Sequence, residues 1–169
     1  MENEMLRVAG FVKESTVDGP GFRYVIFTQG CPHHCKGCHN PGTHDFNGGT
    51  LVNINEIAMD INKNPLLKGV TLSGGDPFIQ AKVLSNLLKK IDKRLSVITY
   101  TGFEYEYLIK NASDKNGYLD LLEMTDVLID SKFEESLKTD ELPYRGSSNQ
   151  RAIDVKKSLE SNTICLYNF

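Results

Sequence analysis

Val70-Thr71-Leu72-Ser73-Gly74-Gly75-Asp76-Pro77 is an apolar strand signal that runs straight into a glycine-proline turn. Beyond it the apolar period changes. Val83, Leu84, Leu87, Leu88 and Ile91 recur at helical spacing, and Lys89, Lys90 and Lys93 gather at the end where cations suit the helix dipole. Leu95–Thr101 is apolar again and stops at Gly102. Strand, turn, helix and strand in that order make one βαβ unit, whose two strands run parallel.

The same alternation extends in both directions. Upstream, Phe22–Gln29 reads as a strand, as does Leu6–Phe11, with the turn Asp18-Gly19-Pro20-Gly21 between them. Asn53 and Glu56 have capping-box spacing ahead of Ile54, Ile57, Ala58 and Ile61 on one helical face. Downstream, helices are expected over Glu104–Asn111 and Leu119–Met124, then a strand over Asp126–Asp130. Lys132–Gln150 is polar and irregular, and Ala152–Val155 and Thr163–Tyr167 read as terminal strands around a short helix at Lys156–Glu160.

No repeat or linker interrupts the 169 residues, so a single domain over 1–169 is expected. A closed eight-unit barrel takes roughly 250 residues. This length supplies four or five units. The expected fold class is therefore α/β: a shortened, laterally open (βα) partial barrel with a mostly parallel curved sheet. In such sheets ligands bind beyond the carboxyl ends of the strands. Gly30–Cys38, Ser73–Pro77, Thr101–Gly102 and Asp130–Lys132 all follow strands and should converge on one crevice.

Composition narrows the function. The net charge of −3 offers no basic excess for a partner held by phosphates, so nucleic acid is not expected. Hydrophobic residues at 40% and charged residues at 24% describe a globular chain. No apolar run approaches the ~18–20 residues of a membrane span. Met1-Glu2-Asn3-Glu4 is acidic with no apolar run after it, so no signal peptide and a cytoplasmic location are expected.

Soft ligands are concentrated in one segment. Cys31, Cys35 and Cys38 lie within eight residues, all four histidines (His33, His34, His39, His44) are beside them, and Cys165 stands alone. A zinc site would need a fourth ligand, and no second cysteine pair exists; His39 adjoins Cys38 awkwardly for one tetrahedral ion. Inert core cysteines do not keep company with Pro32, Lys36 and Gly37, and a redox Cys35–Cys38 pair leaves Cys31 idle. The reading that uses all three is a [4Fe–4S] cluster on thiolates, with one iron left free of protein ligands to chelate a small molecule. A zinc-binding interaction module and a small electron carrier are the alternatives. Cys165 reads as a small residue of a terminal strand.

On these residues the chain resembles the radical S-adenosylmethionine superfamily, whose signature is a Cys-x3-Cys-x2-Cys loop after the first barrel strand. Asp18-Gly19-Pro20-Gly21-x-Arg23, Gly30-Cys31-Pro32, Cys38-His39-Asn40-Pro41 and Ser73-Gly74-Gly75-Asp76-Pro77 look like the glycyl-radical-enzyme activases within it. Asp45-Phe46-Asn47-Gly48-Gly49, the compact length and the Arg145–Arg151 tail are similar to the branch that acts on anaerobic ribonucleotide reductase. The resemblance implies reductive cleavage of S-adenosylmethionine at the cluster to a 5′-deoxyadenosyl radical, which abstracts a glycine hydrogen from the large catalytic subunit of that reductase. It further implies a low-potential electron donor such as flavodoxin or ferredoxin. Activation of pyruvate formate-lyase or another glycyl-radical enzyme is the neighbouring possibility.

Carried onto this sequence, Cys31, Cys35 and Cys38 are the expected cluster ligands. Gly37, His39, Gly74, Gly75, Asp76, Asp130 and Lys132 are the expected S-adenosylmethionine contacts. Two positions depart from the pattern. Gly37 stands where an aromatic or apolar residue is common, which leaves adenine packing to His39, and Asp76 is one methylene shorter than the usual glutamate. Arg23, Asn40 and the Arg145–Arg151 tail have a functional reading beside that of ordinary solvated side chains, and His33 and His34 have no assigned role.

Overall fold

The computed structural model describes residues 4–169; the acidic Met1–Asn3 start lies outside the described residues. The strands are β1 (Met5–Ser15), β2 (Arg23–Thr28), β3 (Thr50–Asn53), β4 (Gly69–Gly74), β5 (Ser96–Tyr100), β6 (Val127–Asp130) and β7 (Arg151–Asp154). The helices are α1 (Ile54–Asn62), α2 (Ala81–Leu88), α3 (Tyr105–Lys110), α4 (Tyr118–Met124) and α5 (Val155–Ser161). All seven strands form one sheet in the order β3-β1-β2-β4-β5-β6-β7.

The central strands β2, β4, β5 and β6 are parallel, while β1 pairs antiparallel with β2 and β3, and β7 antiparallel with β6. The connections explain the change at the margins. Parallel neighbours need a crossover of a dozen or more residues, usually helical. The turn at residues 16–22 is too short for that, and residues 131–150 contain only a 3-10 turn at Glu135–Leu137, so both return antiparallel. The parallel sheet expected between residues 22 and 130 is present, framed by antiparallel edges.

Strand alternation separates two faces. Tyr24, Ile26, Val70, Leu72, Val97 and Leu128 pack with residues of all five helices, among them Ile57, Leu84, Leu87, Leu108, Leu121 and Val155. The opposite face carries a smaller cluster, Ile98, Val127, Ile129 and Ala152, with Tyr100 and Tyr144 against it. Arg23 belongs to neither cluster and is 1% exposed, not solvated. Its guanidinium donates to Thr71 Oγ1 at 2.8 Å, Val70 O at 2.9 Å, and Ser96 Oγ and O, both at 2.9 Å. It has no carboxylate partner among the described residues, and burial lowers its pKa to about 10, still high enough to stay charged at neutral pH. Gly69 makes room for it: a Cβ there would lie 2.4 Å from Nη1. Arg23 is thus a strut across the starts of β4 and β5.

Local expectations are met with adjustments. Asn53 caps α1 by accepting from Asn55 N at 2.8 Å, one residue earlier than a capping box would place the bond. The segment after Pro77 begins as a 3-10 turn, Pro77–Gln80, before α2, and of the three lysines it is Lys93 that donates to the carbonyls of Leu88 and Lys89. The short strand β3 was not anticipated. It is an edge strand with Thr50 and Leu51 exposed, so it carries no periodic signal and exists through pairing with Met5–Val8. The strand expected over Thr163–Tyr167 is reduced to a single bridge, Ile153 with Leu166.

Arg23→Met removes a buried donor set: the carbonyls of Val70 and Ser96 lose their side-chain donor, and Thr71 Oγ1 keeps only its bond to Asp18 O. We expect a loss of about 3 kcal/mol in urea unfolding of the metal-free protein.

Candidate functional site

A cavity of about 480 Å³ opens at the carboxyl ends of β2, β4, β5 and β6. Cys31, Cys35, Cys38, Gly74, Gly75 and Lys132 all line it, together with His39, Thr101 and Gly102. The four loop segments singled out in the sequence do meet.

The cysteine loop is held by its own return path. Gly30 N donates to Thr43 O at 2.7 Å and Cys31 N to His44 O at 3.2 Å, so residues 43–44 lie beside the first cysteine. Buried Gln29 ties down the outer loop through Asp45 O at 2.7 Å and Gly42 O at 3.1 Å. Between the cysteines the chain turns through left-handed conformations at His34 (φ 50°) and Gly37 (φ 75°). Cys31 is buried, Cys35 and Cys38 half-buried, and none is in a disulfide.

Polar hydrogens face the sulfurs. The backbone amides of His33 and His34 face Cys31, where they favour the thiolate, and Cys38 Sγ accepts from Asn40 N at 3.4 Å and lies 3.4 Å from His44 Nε2. Burial raises the thiol pKa of both Cys31 and Cys35. A bound cation would be needed to hold them as thiolates at neutral pH. Among the described residues no group of three His, Cys, Asp or Glu side chains is gathered tightly enough for a single metal ion. Three separate thiols around one cavity, with amide donors on their sulfurs, suit the larger frame of an iron-sulfur cluster. Cys165 cannot join them. Its carbonyl accepts from Asp154 N, and Asp154 pairs with Val127, the first residue of β6, at the far end of the sheet.

The Gly74-Gly75 turn packs backbone to backbone on the exit of β2. Gly75 N donates to Thr28 O at 2.7 Å and Asp76 N to Gly30 O at 2.8 Å. A Cβ on Gly74 would lie 2.4 Å from Thr28 N, and one on Gly75 2.3 Å from Gly30 O. The glycines are therefore required by this contact, whatever else approaches them.

The two expected carboxylates are turned away from the cavity. Asp76 is buried, caps the 3-10 turn through Phe78 N, accepts from Thr101 Oγ1 and Gly102 N, and pairs with His33. Asp130 follows Ile129 in the alternation of β6 and so faces the helices. There it accepts from Tyr105 N at 2.8 Å and from Arg151. Ser131 then takes a left-handed φ of 77°, which swings Lys132 back to the cavity wall. Gly37 does not line the cavity; a Cβ there would press on Glu135 and Phe133. His39 does, with its ring 5.2 Å from that of Phe133.

Several lining residues were not singled out from the sequence. Phe133, Tyr100, Tyr144 and His33 are among them. Phe133 sits one residue past Lys132, and Tyr100 one before the expected Thr101, so proximity was the only available signal. Of the arginine-rich tail, Arg145 reaches the cavity wall, whereas Arg151 is spent on Asp130 and Glu106.

Residues 17–153 match the model of the 4Fe-4S single cluster domain family. The anaerobic ribonucleoside-triphosphate reductase-activating protein of Enterobacteria phage T4 is 36% identical over 143 residues, covering 80% of this chain and 85% of its own. The protein of the same description from Escherichia coli strain K12 is 33% identical, covering 79% and 89%. The chain belongs to the family of anaerobic ribonucleoside-triphosphate reductase-activating proteins. The pyruvate formate-lyase 1-activating enzyme of E. coli K12 is 30% identical over 94% of this chain but only 64% of its own length, so this family member spans a compact part of that larger enzyme. Among solved structures, QueE from E. coli superposes with a TM-score of 0.43 and 16% identity, over 58% of this chain and 53% of that one, too loosely to build on.

Gly75→Ala tests the backbone contact apart from any ligand. We expect it to cost the metal-free protein about 2–3 kcal/mol, seen as a fall in Tm of roughly 5–10 °C.

Proposed function

We propose that this protein activates an anaerobic ribonucleoside-triphosphate reductase by installing a glycyl radical on its large catalytic subunit. The cofactors are a [4Fe–4S] cluster on Cys31, Cys35 and Cys38, and S-adenosylmethionine. The observation that carries this reading is the meeting of three free thiols and the Gly74-Gly75 turn at one cavity, beyond the carboxyl ends of four parallel strands. Held by Cys31, Cys35 and Cys38, the cluster would supply the single electron, drawn from the external donor, for reductive cleavage of the S–C5′ bond of S-adenosylmethionine to methionine and a 5′-deoxyadenosyl radical that could take a glycine Cα hydrogen.

The chain's own residues bind and orient. Gly74 and Gly75 present backbone to the methionine portion without a side chain in the way. Exposed Lys132 offers its ammonium to the carboxylate from the rim. His39, backed by Phe133, is the surface for adenine that Gly37 cannot provide. Asp76 and Asp130 act from behind, the first shaping the turn that carries Gly75, the second anchoring α3 and the bend that delivers Lys132.

The finer architecture follows the same reading. Residues 1–169 form one radical S-adenosylmethionine domain, a partial barrel left open at the side. Support comes from helices packed on one sheet face and a cavity on the other. An open wall suits a substrate that is a loop of another protein. The electron donor is read as a flavodoxin or ferredoxin, and the location as the cytoplasm; no helix among the described residues is long and apolar enough to cross a membrane.

The reductase is favoured over pyruvate formate-lyase by the near-full length of the reductase-activating relatives that this chain spans. The anaerobically reconstituted protein, reduced in the presence of S-adenosylmethionine, should yield 5′-deoxyadenosine. Mixed with the purified reductase it should produce a glycyl signal by electron paramagnetic resonance. Cys31→Ser, Cys35→Ser and Cys38→Ser should each drop iron retention and 5′-deoxyadenosine to background, while Cys165→Ser leaves both unchanged. A protein that takes up no iron refutes the proposal, and a glycyl signal on pyruvate formate-lyase alone transfers it to that partner.

A further inference from the structure

His33 sits between two of the three cysteines, yet its side chain is only 6% exposed and is directed at Asp76, whose side chain is 0% exposed. Nε2 lies 2.6 Å from Asp76 Oδ2. With the carboxylate oxygen as acceptor, the imidazole donates from Nε2. The other acceptor positions of Asp76 are filled by Phe78 N at 3.0 Å, Thr101 Oγ1 at 3.0 and 2.9 Å, and Gly102 N at 2.9 Å. The carboxylate is thus a fixed hub between the exits of β4 and β5.

The ring is also fitted by shape. It meets Phe103 edge-on at 4.5 Å between centroids. Gly102 also lies against the ring: a Cβ there would stand 2.4 Å from His33 Cδ2. A glycine is needed at 102 for the imidazole to occupy this slot. A histidine that merely decorates a surface loop would not be buried against Phe103 and Gly102 and bonded at its tip.

The return path through residues 42–45 secures the start of the cysteine loop. Among the described residues, the one backbone–backbone bond that residues 32–38 make is Cys38 N to Cys35 O, internal to the loop. His33 is the side chain that ties this stretch to the turn carrying Gly74 and Gly75. The same residue contributes a backbone amide toward the Cys31 sulfur. Displacing the ring would move that donor as well.

We propose that His33 and Asp76 form a latch that sets the distance between the cysteine loop and the Gly74-Gly75 turn. His33 is then a positioning residue for S-adenosylmethionine and not a cluster ligand. The inference rests on the cofactor reading above: one loop holds the cluster, the other receives the molecule that must touch it, and neither alone fixes their separation.

Two variants separate hydrogen bond from bulk. His33→Phe keeps a ring in the slot without the donor, and His33→Gln restores a donor near the position of Nε2. In the metal-free proteins, hydrogen exchange over residues 31–38 should quicken in H33F and return toward wild type in H33Q. After reconstitution, H33F should load iron like wild type but bind S-adenosylmethionine about 10-fold more weakly by equilibrium dialysis. The change that S-adenosylmethionine induces in the spectrum of its reduced cluster should shrink accordingly, and H33Q should recover most of both. H33F matching wild type in exchange, affinity and spectrum overturns the latch while leaving the proposed function intact. Loss of iron from both variants makes His33 part of the ligation and overturns the positioning role. If H33F does not fold, H33Q decides alone, because a loss there as large as that expected of H33F assigns the effect to ring packing and removes the hydrogen bond from it. A wild-type protein that takes up no iron removes the cofactor reading and the latch together.

Discussion

Two short backbone hydrogen bonds organise the functional end of this molecule: Gly75 N to Thr28 O and Asp76 N to Gly30 O. They join the exits of β2 and β4, neighbours in the parallel core, at a distance only glycine permits. The first cysteine follows Gly30 immediately, so the position of the cysteine loop is inherited from this contact. Without it the Gly-Gly turn and the cysteine loop would be separate surface segments. With it they are two walls of one cavity.

Around that contact the side chains divide by strand parity. Helix-facing positions of the central strands are apolar and build the large core, which fixes the sheet. The other face is sparsely filled, and a buried arginine braces it at the amino ends of β4 and β5. A sheet supported from one side can leave its other side hollow near the carboxyl ends. The same parity explains why Asp130 supports the site from the helix side, and why a left-handed Ser131 is needed before Lys132 can reach it.

Buried charge is handled differently at the two ends. Arg23 is satisfied by carbonyls and hydroxyls, with no counter-ion among the described residues. Near the cavity, Asp76 accepts from two backbone amides beside His33, and Asp130 from one beside Arg151. Arrangements of this kind tolerate little rearrangement, because any partner withdrawn leaves a polar atom without water. They give the loops around the cavity a rigid base, while the surfaces of His39, Lys132 and Arg145 stay available to ligands and partners.

The family, the three thiols and the parallel core were legible from residue type and spacing. Cysteine chemistry is intrinsic to the side chain, and the change of apolar period from two to 3.6 is a local property of the chain. Edge strand β3 was not legible, since four residues, none of them buried, become a strand only when Met5–Val8 lies beside them. Nor were the roles of Arg23, His33, Asp76 and Asp130. Whether such a residue faces solvent, ligand or core depends on strand parity and on neighbours tens of residues away. Sequence by itself determined what chemistry the chain can hold and at which end of the sheet it belongs. Tertiary structure alone decided which polar groups touch that chemistry and which hold it in place, because burial and hydrogen-bond partners are set by packing between distant segments.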